Sequence, residues 1–368
     1  MFEVVISTVS GGFFVSQLAA ITKILSAREK SNVIEKTQPD VYFGASGGNL
    51  SNYLGLVFQK NRESVEKILY QLNSKMFVRN WWPDKLNFFH PLFLSLFNSS
   101  VYKEGKGSEE IFKKMYNEDY ILDSNTPEVW TLTHNIDTNL GTINCSKSKD
   151  LSIFSENLKL EELIFYGCGE IKYLEGNVDK IIKTNLASAS IPGVKGSVEI
   201  DGNKYVDGGI TDATPYGFFG DVINNKFKDK ELKLPFHCFF ILPLNLKNIS
   251  DRHTIISKKE KKHWISMLFE NLDSVFSSMI FNHRKYSFEN WLRCNNITSR
   301  ETRVEFYYHI TLEELIEVLE KYHNNSYFIT CYTDVNQVDI TNFKPKDLQE
   351  KFEKSFKSLS LELIIKDE

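Results

Sequence analysis

The chain has 368 residues, of which 42% are hydrophobic and 25% are charged, so it is long and apolar enough for one large globular domain or two smaller ones. Its formal net charge is -4, with 44 basic and 48 acidic residues mixed along the chain, which excludes the broad basic field of a nucleic-acid-binding protein. The five cysteines form no C-x-x-C pair, so neither a zinc site nor a disulfide framework is predicted, and a reducing compartment is favoured.

The beginning of the chain, MFEVVISTVS, lacks both the basic region and the small-residue cleavage site of a signal peptide. No apolar run approaches the roughly 20 residues that a membrane-spanning helix requires. The sequence therefore predicts a cytoplasmic protein whose contact with membranes, where it occurs, is peripheral.

Strand and helix signals alternate near the start of the chain. FEVVIST, residues 2–8, predicts a buried strand, and residues 14–25 place apolar side chains at helical spacing. DVYFG, residues 40–44, predicts a second strand, and a helix is expected to begin at Ser46. Two parallel strands joined by a helical crossover are typical of an α/β sheet with helices on both faces.

Further elements are predicted downstream. Strands are expected at EVWTLTHNID, TINCS, SVEI, KYVDG and FHCFFILPL, and helices at NVDKIIKTNLASAS and in much of residues 257–296. The chain shows neither an internal repeat nor a low-complexity segment, so residues 1–368 are expected to form a single domain. Within it we expect a motif-bearing core at about 1–245, a lid or helical insert at 60–125, and a mostly helical part at 246–368.

The stretch VYFGASGGNL, residues 41–50, carries a G-x-S-x-G pattern around Ser46. Between a strand and a helix this pattern is the signature of a nucleophile elbow, a strained turn that holds out the serine hydroxyl. Gly44 and Gly48 lack side chains where the chain folds back most tightly, and Gly47 lies in the same turn. The amino end of the following helix favours the negative charge that develops when a serine attacks. Ser46 is therefore the predicted nucleophile.

A second glycine loop, TVSGGFF, follows the first strand. The carboxyl ends of parallel strands open onto one edge of a sheet, so we expect the amides of Gly11 and Gly12 to converge on the carbonyl oxygen of a substrate attacked by Ser46. The rival function is phosphate binding, but the loop has neither G-x-x-x-x-G-K-[ST] nor G-x-G-x-x-G. A turn without chemistry would not explain two glycine loops on one edge.

The base that would activate Ser46 separates two mechanisms. A serine esterase of the α/β-hydrolase type would use a histidine, placed after the acid in the chain. The chain has eight histidines, each in a setting more typical of packing or the surface than of catalysis: His90, His134, His237, His253, His263, His283, His309 and His323. This esterase remains the alternative enzyme.

An aspartate is the better candidate for the base. The segment SVEIDGNKYVDGGITDATP contains two Asp-Gly steps, and the first, at Asp201, predicts an ordinary hairpin turn. The second, at Asp207, ends the next strand, and the double glycine Gly208 and Gly209 lets backbone or substrate approach closely. Asp207 is therefore the predicted base.

In order and spacing these motifs resemble the patatin-like phospholipases. That family has a glycine-rich oxyanion loop, then G-x-S-x-G, an A-S-x-x-x-P segment and a D-G-[GA] motif; here these are residues 10–12, residues 44–48, NLASASIPGV and YVDGGITDATP. The resemblance covers about residues 1–220. It implies a three-layer α/β/α sandwich with a mainly parallel sheet. It also implies hydrolysis of acyl esters, usually of phospholipids, by a dyad of Ser46 and Asp207 without histidine, metal or cofactor.

One departure from the family concerns the oxyanion loop. The family pattern has three glycines, a basic residue and another glycine, whereas GGFFVS has two glycines followed by bulky apolar residues. Gly11 and Gly12 are therefore expected to form a smaller or differently aligned hole, with Ser10 as a third contributor. This altered loop is also the one feature that favours the non-enzymatic alternative, an inactive relative that binds lipid.

An aromatic segment at residues 76–97 bears on the substrate. It is rich in tryptophan and phenylalanine and poor in charge, which is typical of a lid at a lipid surface and equally of a buried helical insert. We expect a phospholipid or other acyl-ester substrate and transient contact with a membrane surface. Nucleic acid is not an expected partner, and the sequence does not indicate an oligomeric state.

Overall fold

The computed structural model describes residues 1–10, 14–60, 123, 125–152, 163–164, 167–190, 196–212, 235–242, 285, 287–293, 295–333 and 345–366. In chain order its strands and helices are β1 (Phe2–Ser7), α1 (Phe14–Lys30), β2 (Val41–Ala45), α2 (Gly47–Lys60), β3 (Glu128–Asn135), β4 (Leu140–Cys145), β5 (Cys168–Tyr173), α3 (Val178–Ser188), β6 (Val198–Ile200), β7 (Asn203–Asp207), β8 (Phe236–Ile241), β9 (Thr302–Tyr307), α4 (Leu312–Lys321), β10 (Tyr327–Thr333), α5 (Pro345–Lys357) and β11 (Leu359–Lys366). Residues 287–293 are also helical.

One sheet contains all the strands of the described residues. Its main order is β5-β4-β3-β2-β1-β8-β10-β11-β9, while β7 pairs with β3 and β6 pairs with β7. The central strands from β3 to β10 run parallel, and antiparallel pairs occur toward the margins. The predicted crossover is confirmed, since β1 and β2 are parallel neighbours with α1 between them in the chain. The predicted α/β fold with a mainly parallel central sheet is therefore confirmed.

Both faces of the central strands are buried. Alternate side chains of β1 point to opposite faces. Val5 packs in an apolar cluster with side chains from the helices α1 to α5, and Val4 and Ile6 pack in a second cluster with Trp291. A parallel sheet covered on both faces favours strands that are mostly apolar, and in β1 the buried Glu3 is paired with Arg28. The sheet thus lies between two apolar layers, and the loops at its carboxyl edge are held by buried strands.

The hairpin predicted at Asp201 is present. Strands β6 and β7 pair antiparallel with Ile200 opposite Asn203, so the turn has two residues. Asp201 and Gly202 both have positive φ, 51° and 82°, as a type I′ hairpin turn requires. The hairpin returns the chain to the sheet, and β7 then ends at Asp207.

The described residues of the C-terminal third contain strands as well as helices. Besides α4 and α5, its described residues contribute the strands β9, β10 and β11, and β10 pairs directly with the central strand β8. These strands and β5 were absent from the prediction. The insert predicted at 60–125, with its aromatic segment at 76–97, falls almost wholly outside the described residues, as does most of the helix predicted at 257–296. In the described part of the chain, none of the helices is long and apolar enough to cross a bilayer.

Candidate active site

Ser46 occupies the turn between β2 and α2 in a strained backbone conformation. Its φ is 55°, in the left-handed region that costs a residue with a side chain roughly 1–2 kcal/mol. The side chain is only 5% exposed. The carbonyl oxygen of Ser46 accepts a hydrogen bond from the backbone N–H of Asn49 at 3.1 Å, which begins α2. Strain of this kind persists where the surrounding structure fixes the residue, and it is common at functional sites.

The glycines on either side of Ser46 lie where a side chain would collide with the backbone. A Cβ atom on Gly44 would lie 2.9 Å from the backbone nitrogen of Asn49. A Cβ atom on Gly48 would lie 2.6 Å from the carbonyl oxygen of Ser7 and closer still to that of Thr8. Gly47 is buried at the start of α2. The turn can therefore form against the end of β1 only because both flanking positions lack side chains.

Gly48→Ala is expected to destabilise the protein by about 1–3 kcal/mol, because the added methyl group must displace backbone atoms of β1 or α2. The measurement is the free energy of unfolding in denaturant. Gly196→Ala is the matched control, since a Cβ atom there meets nothing within 4 Å. An equal loss of stability in the two variants would contradict the close approach at Gly48.

Asp207 ends β7 and begins a 3₁₀ turn at Gly208–Ile210. Its side chain is 4% exposed, and Oδ1 accepts a hydrogen bond from the backbone N–H of Gly209 at 2.8 Å. The backbone N–H of Asp207 donates to the carbonyl oxygen of Ser190 at 3.0 Å. The carboxylate is thus held at the end of a strand by its own turn.

Strand β3 brings the turns of Ser46 and Asp207 together. Leu132 of β3 pairs with Ala45, the last residue of β2, and the next residue, Thr133, pairs with Asp207. Because β2 is parallel and β7 antiparallel to β3, their carboxyl ends approach each other along one edge of β3. Gly208 packs directly on this edge, since a Cβ atom there would lie 2.6 Å from the carbonyl carbon of Leu132. Ser46 therefore directly follows the residue paired with Leu132, and Asp207 is paired with the next residue, Thr133.

The end of β1 reaches the same place. A Cβ atom on Gly209 would lie 2.6 Å from Cγ1 of Val9, so the Asp207 turn packs against the chain that leaves β1. Ser10 follows and is 8% exposed, and its hydroxyl has no hydrogen-bond partner among the described residues. Gly11 and Gly12 lie outside the described residues, so the oxyanion hole stays a prediction.

Buried polar side chains join α2, α3 and β3 beside the Ser46 turn, and the sequence alone assigned none of them a role. Asn49 of α2 bonds through its side-chain amide to Asn185 of α3, and its Oδ1 accepts from Thr131 of β3 at 2.8 Å. The backbone N–H of Ser46 donates to the hydroxyl of Ser188 at 2.9 Å. Ser188 is the serine of the A-S-x-x-x-P segment, whereas the sequence marks Asn49, Asn185 and Thr131 only as polar residues within predicted elements.

The structure describes four of the eight histidines: His134, His237, His309 and His323. Of these four, His134 lies nearest the site in the sheet, because it follows Thr133 in β3 and Thr133 pairs with Asp207. Its Nδ1 lies 2.9 Å from the hydroxyl oxygen of Thr211, and burial lowers the pKa of the ring. Within the described residues the hydrogen bonds of Ser46 run to Ser188 and Asn49 and not to a histidine.

His237 lies at the opposite end of the sheet, near the start of β8. Its ring stacks on Tyr327 with centroids 3.8 Å apart, and Nδ1 lies 3.5 Å from a carboxylate oxygen of Glu3. Glu3 is itself in a fully buried ion pair with Arg28. Burial lowers the pKa of His237, so the ring is favoured in its neutral form. These contacts are those of a core histidine.

Fold and site together define an α/β protein with a serine on a strained turn at the carboxyl edge of a parallel sheet, next to an aspartate at a double-glycine turn. Residues 11–219 match the family model of the patatin-like phospholipases, which is more than half of the chain. The chain belongs to the patatin-like phospholipase family, as its motifs predicted. Comparison with curated proteins gives no match. Membership of the family indicates lipid acyl hydrolase activity, with lipid esters as the class of substrate.

Proposed function

We propose that the protein is a phospholipase A or lysophospholipase that cleaves acyl esters through a dyad of Ser46 and Asp207. The observation that supports this proposal is the register of β3, which places Leu132 opposite the residue before Ser46 and Thr133 opposite Asp207. The strained φ of Ser46 and the burial of both side chains are further support. A hydrolase that uses the family's motifs needs these two groups side by side.

In the proposed reaction Ser46 Oγ attacks the carbonyl carbon of the ester while Asp207 accepts the hydroxyl proton. The tetrahedral intermediate carries its negative charge toward the amides of Gly11 and Gly12 and the amino end of α2. Collapse of the intermediate breaks the ester bond, and the departing alcohol, such as a lysophospholipid, takes the proton from Asp207. Water then attacks the acyl-enzyme while Asp207 takes its proton, and Asp207 returns that proton to Ser46 Oγ as the fatty acid is released.

Access to substrate belongs to the same proposal. A phospholipid presents its ester at the boundary of a bilayer, so the enzyme must contact the membrane surface transiently. The aromatic segment at 76–97 is the part of the chain whose composition suits that contact, because tryptophan favours the lipid–water boundary. The chemistry requires no metal, since the charge of the intermediate is balanced by backbone amides.

An active-site-directed fluorophosphonate is expected to label the native protein once per chain, at Ser46, because the reagent forms a covalent bond with an activated serine. Peptide mass spectrometry of the labelled protein gives the position. Heat-denatured protein is the control and should not react. Stoichiometric label on a different serine, or no label on folded protein, would contradict the proposed nucleophile.

A further inference from the structure

The carboxyl end of α3 is hydrogen bonded to the backbones of both Ser46 and Asp207. The hydroxyl of Ser188 accepts the N–H of Ser46 at 2.9 Å and donates to the carbonyl oxygen of Leu132 at 2.7 Å. Two residues later, the carbonyl oxygen of Ser190 accepts the N–H of Asp207 at 3.0 Å. Both serines are fully buried. One short segment is therefore attached to both halves of the proposed dyad.

The bridge at Ser188 lies where the sheet opens. Pairing of β2 with β3 ends at Ala45 and Leu132, because the positive φ of Ser46 turns the chain out of the strand. The N–H of Ser46 and the carbonyl group of Leu132 are therefore buried at the point where the pairing of β2 with β3 stops. A serine hydroxyl can accept one hydrogen bond and donate another, so Ser188 satisfies both groups at once. An alanine at this position would satisfy neither.

The carbonyl group of Leu132 is also the place where the Asp207 turn packs, through Gly208. The hydroxyl of Ser188 consequently connects the backbone of the nucleophile to the strand position that supports the base. A shift of Ser46 away from Leu132 would change the path from its hydroxyl to the carboxylate. Small displacements of this kind reduce the rate of a proton transfer and attack much more than they reduce binding.

We infer that Ser188 is a positioning residue for hydrolysis: its hydroxyl holds the Ser46 turn at a fixed distance from Asp207. This inference rests on the proposed function of the two residues. Ser188 does not contact the reacting atoms in this role. Its loss is therefore expected to lower kcat and to leave KM nearly unchanged.

The test compares Ser188→Ala with Ser146→Ala in the full chain. Ser146 is the matched control, because its buried hydroxyl also accepts a backbone N–H of β3, that of Val129 at 3.0 Å, but near the amino end of the strand. Turnover of 4-nitrophenyl butyrate is measured per molecule that a fluorophosphonate labels at Ser46, so that unfolded protein is not counted. Ser188→Ala should lose about 10–100-fold in kcat with KM within about twofold, and Ser146→Ala should stay within about threefold of wild type.

The inference is overturned alone if wild type is labelled at Ser46 but Ser188→Ala keeps wild-type turnover per labelled molecule, or if Ser146→Ala falls equally. Wild-type protein that is not labelled at Ser46 would refute the proposed function and the inference with it. Should Ser188→Ala fail to fold, Ser188→Cys takes its place, because a thiol fills the same space but is a weak donor and acceptor. A cysteine variant as fast as wild type would also overturn the inference.

Discussion

Ser46→Ala is expected to abolish acyl hydrolysis while the protein remains folded. Covalent catalysis requires the hydroxyl oxygen, and the loss of a nucleophile lowers turnover by several orders of magnitude. The fold should tolerate the change, because alanine also has a Cβ atom and imposes no new requirement at the φ of 55°. The hydrogen bonds from residue 46 to Ser188 and Asn49 are made by its backbone and not by its own side chain. Turnover of 4-nitrophenyl butyrate and of phospholipid vesicles measures the first effect, and the midpoint of thermal unfolding the second.

Two results would contradict this prediction. Activity above about a tenth of wild type is more than an enzyme without its nucleophile retains. An unfolding midpoint well below wild type would show that the lost activity reflects the fold and not the chemistry. Ser355→Ala is the control, since it removes another fully buried hydroxyl, one that bonds to Ser16 between α5 and α1. That variant should keep both its activity and its fold.

The central sheet could be predicted because its strands are buried on both faces. FEVVIS, VYFGA and FHCFFI are mostly apolar, as is typical of parallel strands covered by two layers. The sequence therefore predicted β1, β2 and β8, and also the helix α1 between the first two strands. Recognition of the family then supplied the sandwich that residue patterns alone left open.

The strands that were missed divide into two kinds. In the edge strand β9 the pattern is reversed, because Val304 and Phe306 are exposed while Glu305 between them is partly buried. In β5 most residues are only partly buried, so the alternation of buried and exposed side chains that marks a strand is weak. By contrast, YFITCYT of β10 is buried at every position and had the signal of a central strand. This strand was not predicted because the C-terminal third was expected to be mostly helical.

Local motifs predicted the positions of Ser46 and Asp207 within the fold, because each ends a strand and is flanked by glycine. The hydrogen bond that links the Ser46 turn to Leu132 could not be predicted in this way. Ser188 lies 142 positions from Ser46, and its hydrogen bond depends on how α3 packs beside β3. In the sequence it is the serine of the A-S-x-x-x-P segment, at residues 187–192, but that pattern does not indicate which backbone groups its hydroxyl bonds.

Asp207→Asn is expected to reduce turnover about 10²–10⁴-fold, the usual contribution of a general base. Asparagine has nearly the size of aspartate, and its side-chain oxygen can still accept the hydrogen bond that Gly209 donates to Oδ1 at 2.8 Å. It cannot take the proton of Ser46. The fold and the burial of the turn should therefore persist while the rate collapses, and the rate constant kcat on 4-nitrophenyl butyrate measures the effect.

The control for Asp207→Asn is His134→Gln, which tests the histidine nearest the site among the described residues. Glutamine can keep a hydrogen bond to the hydroxyl of Thr211, so the variant should remain folded and active if the dyad operates. A Ser-His mechanism that uses His134 would instead give an inactive His134→Gln, and its acidic limb would lie below the ordinary pKa of an imidazole because burial lowers the pKa of this ring. That result, together with an active Asp207→Asn, would refute the dyad. The ring of His134 bonds to Thr211 and burial lowers its pKa, and both properties suit a structural histidine better than a base that must gain a proton during attack.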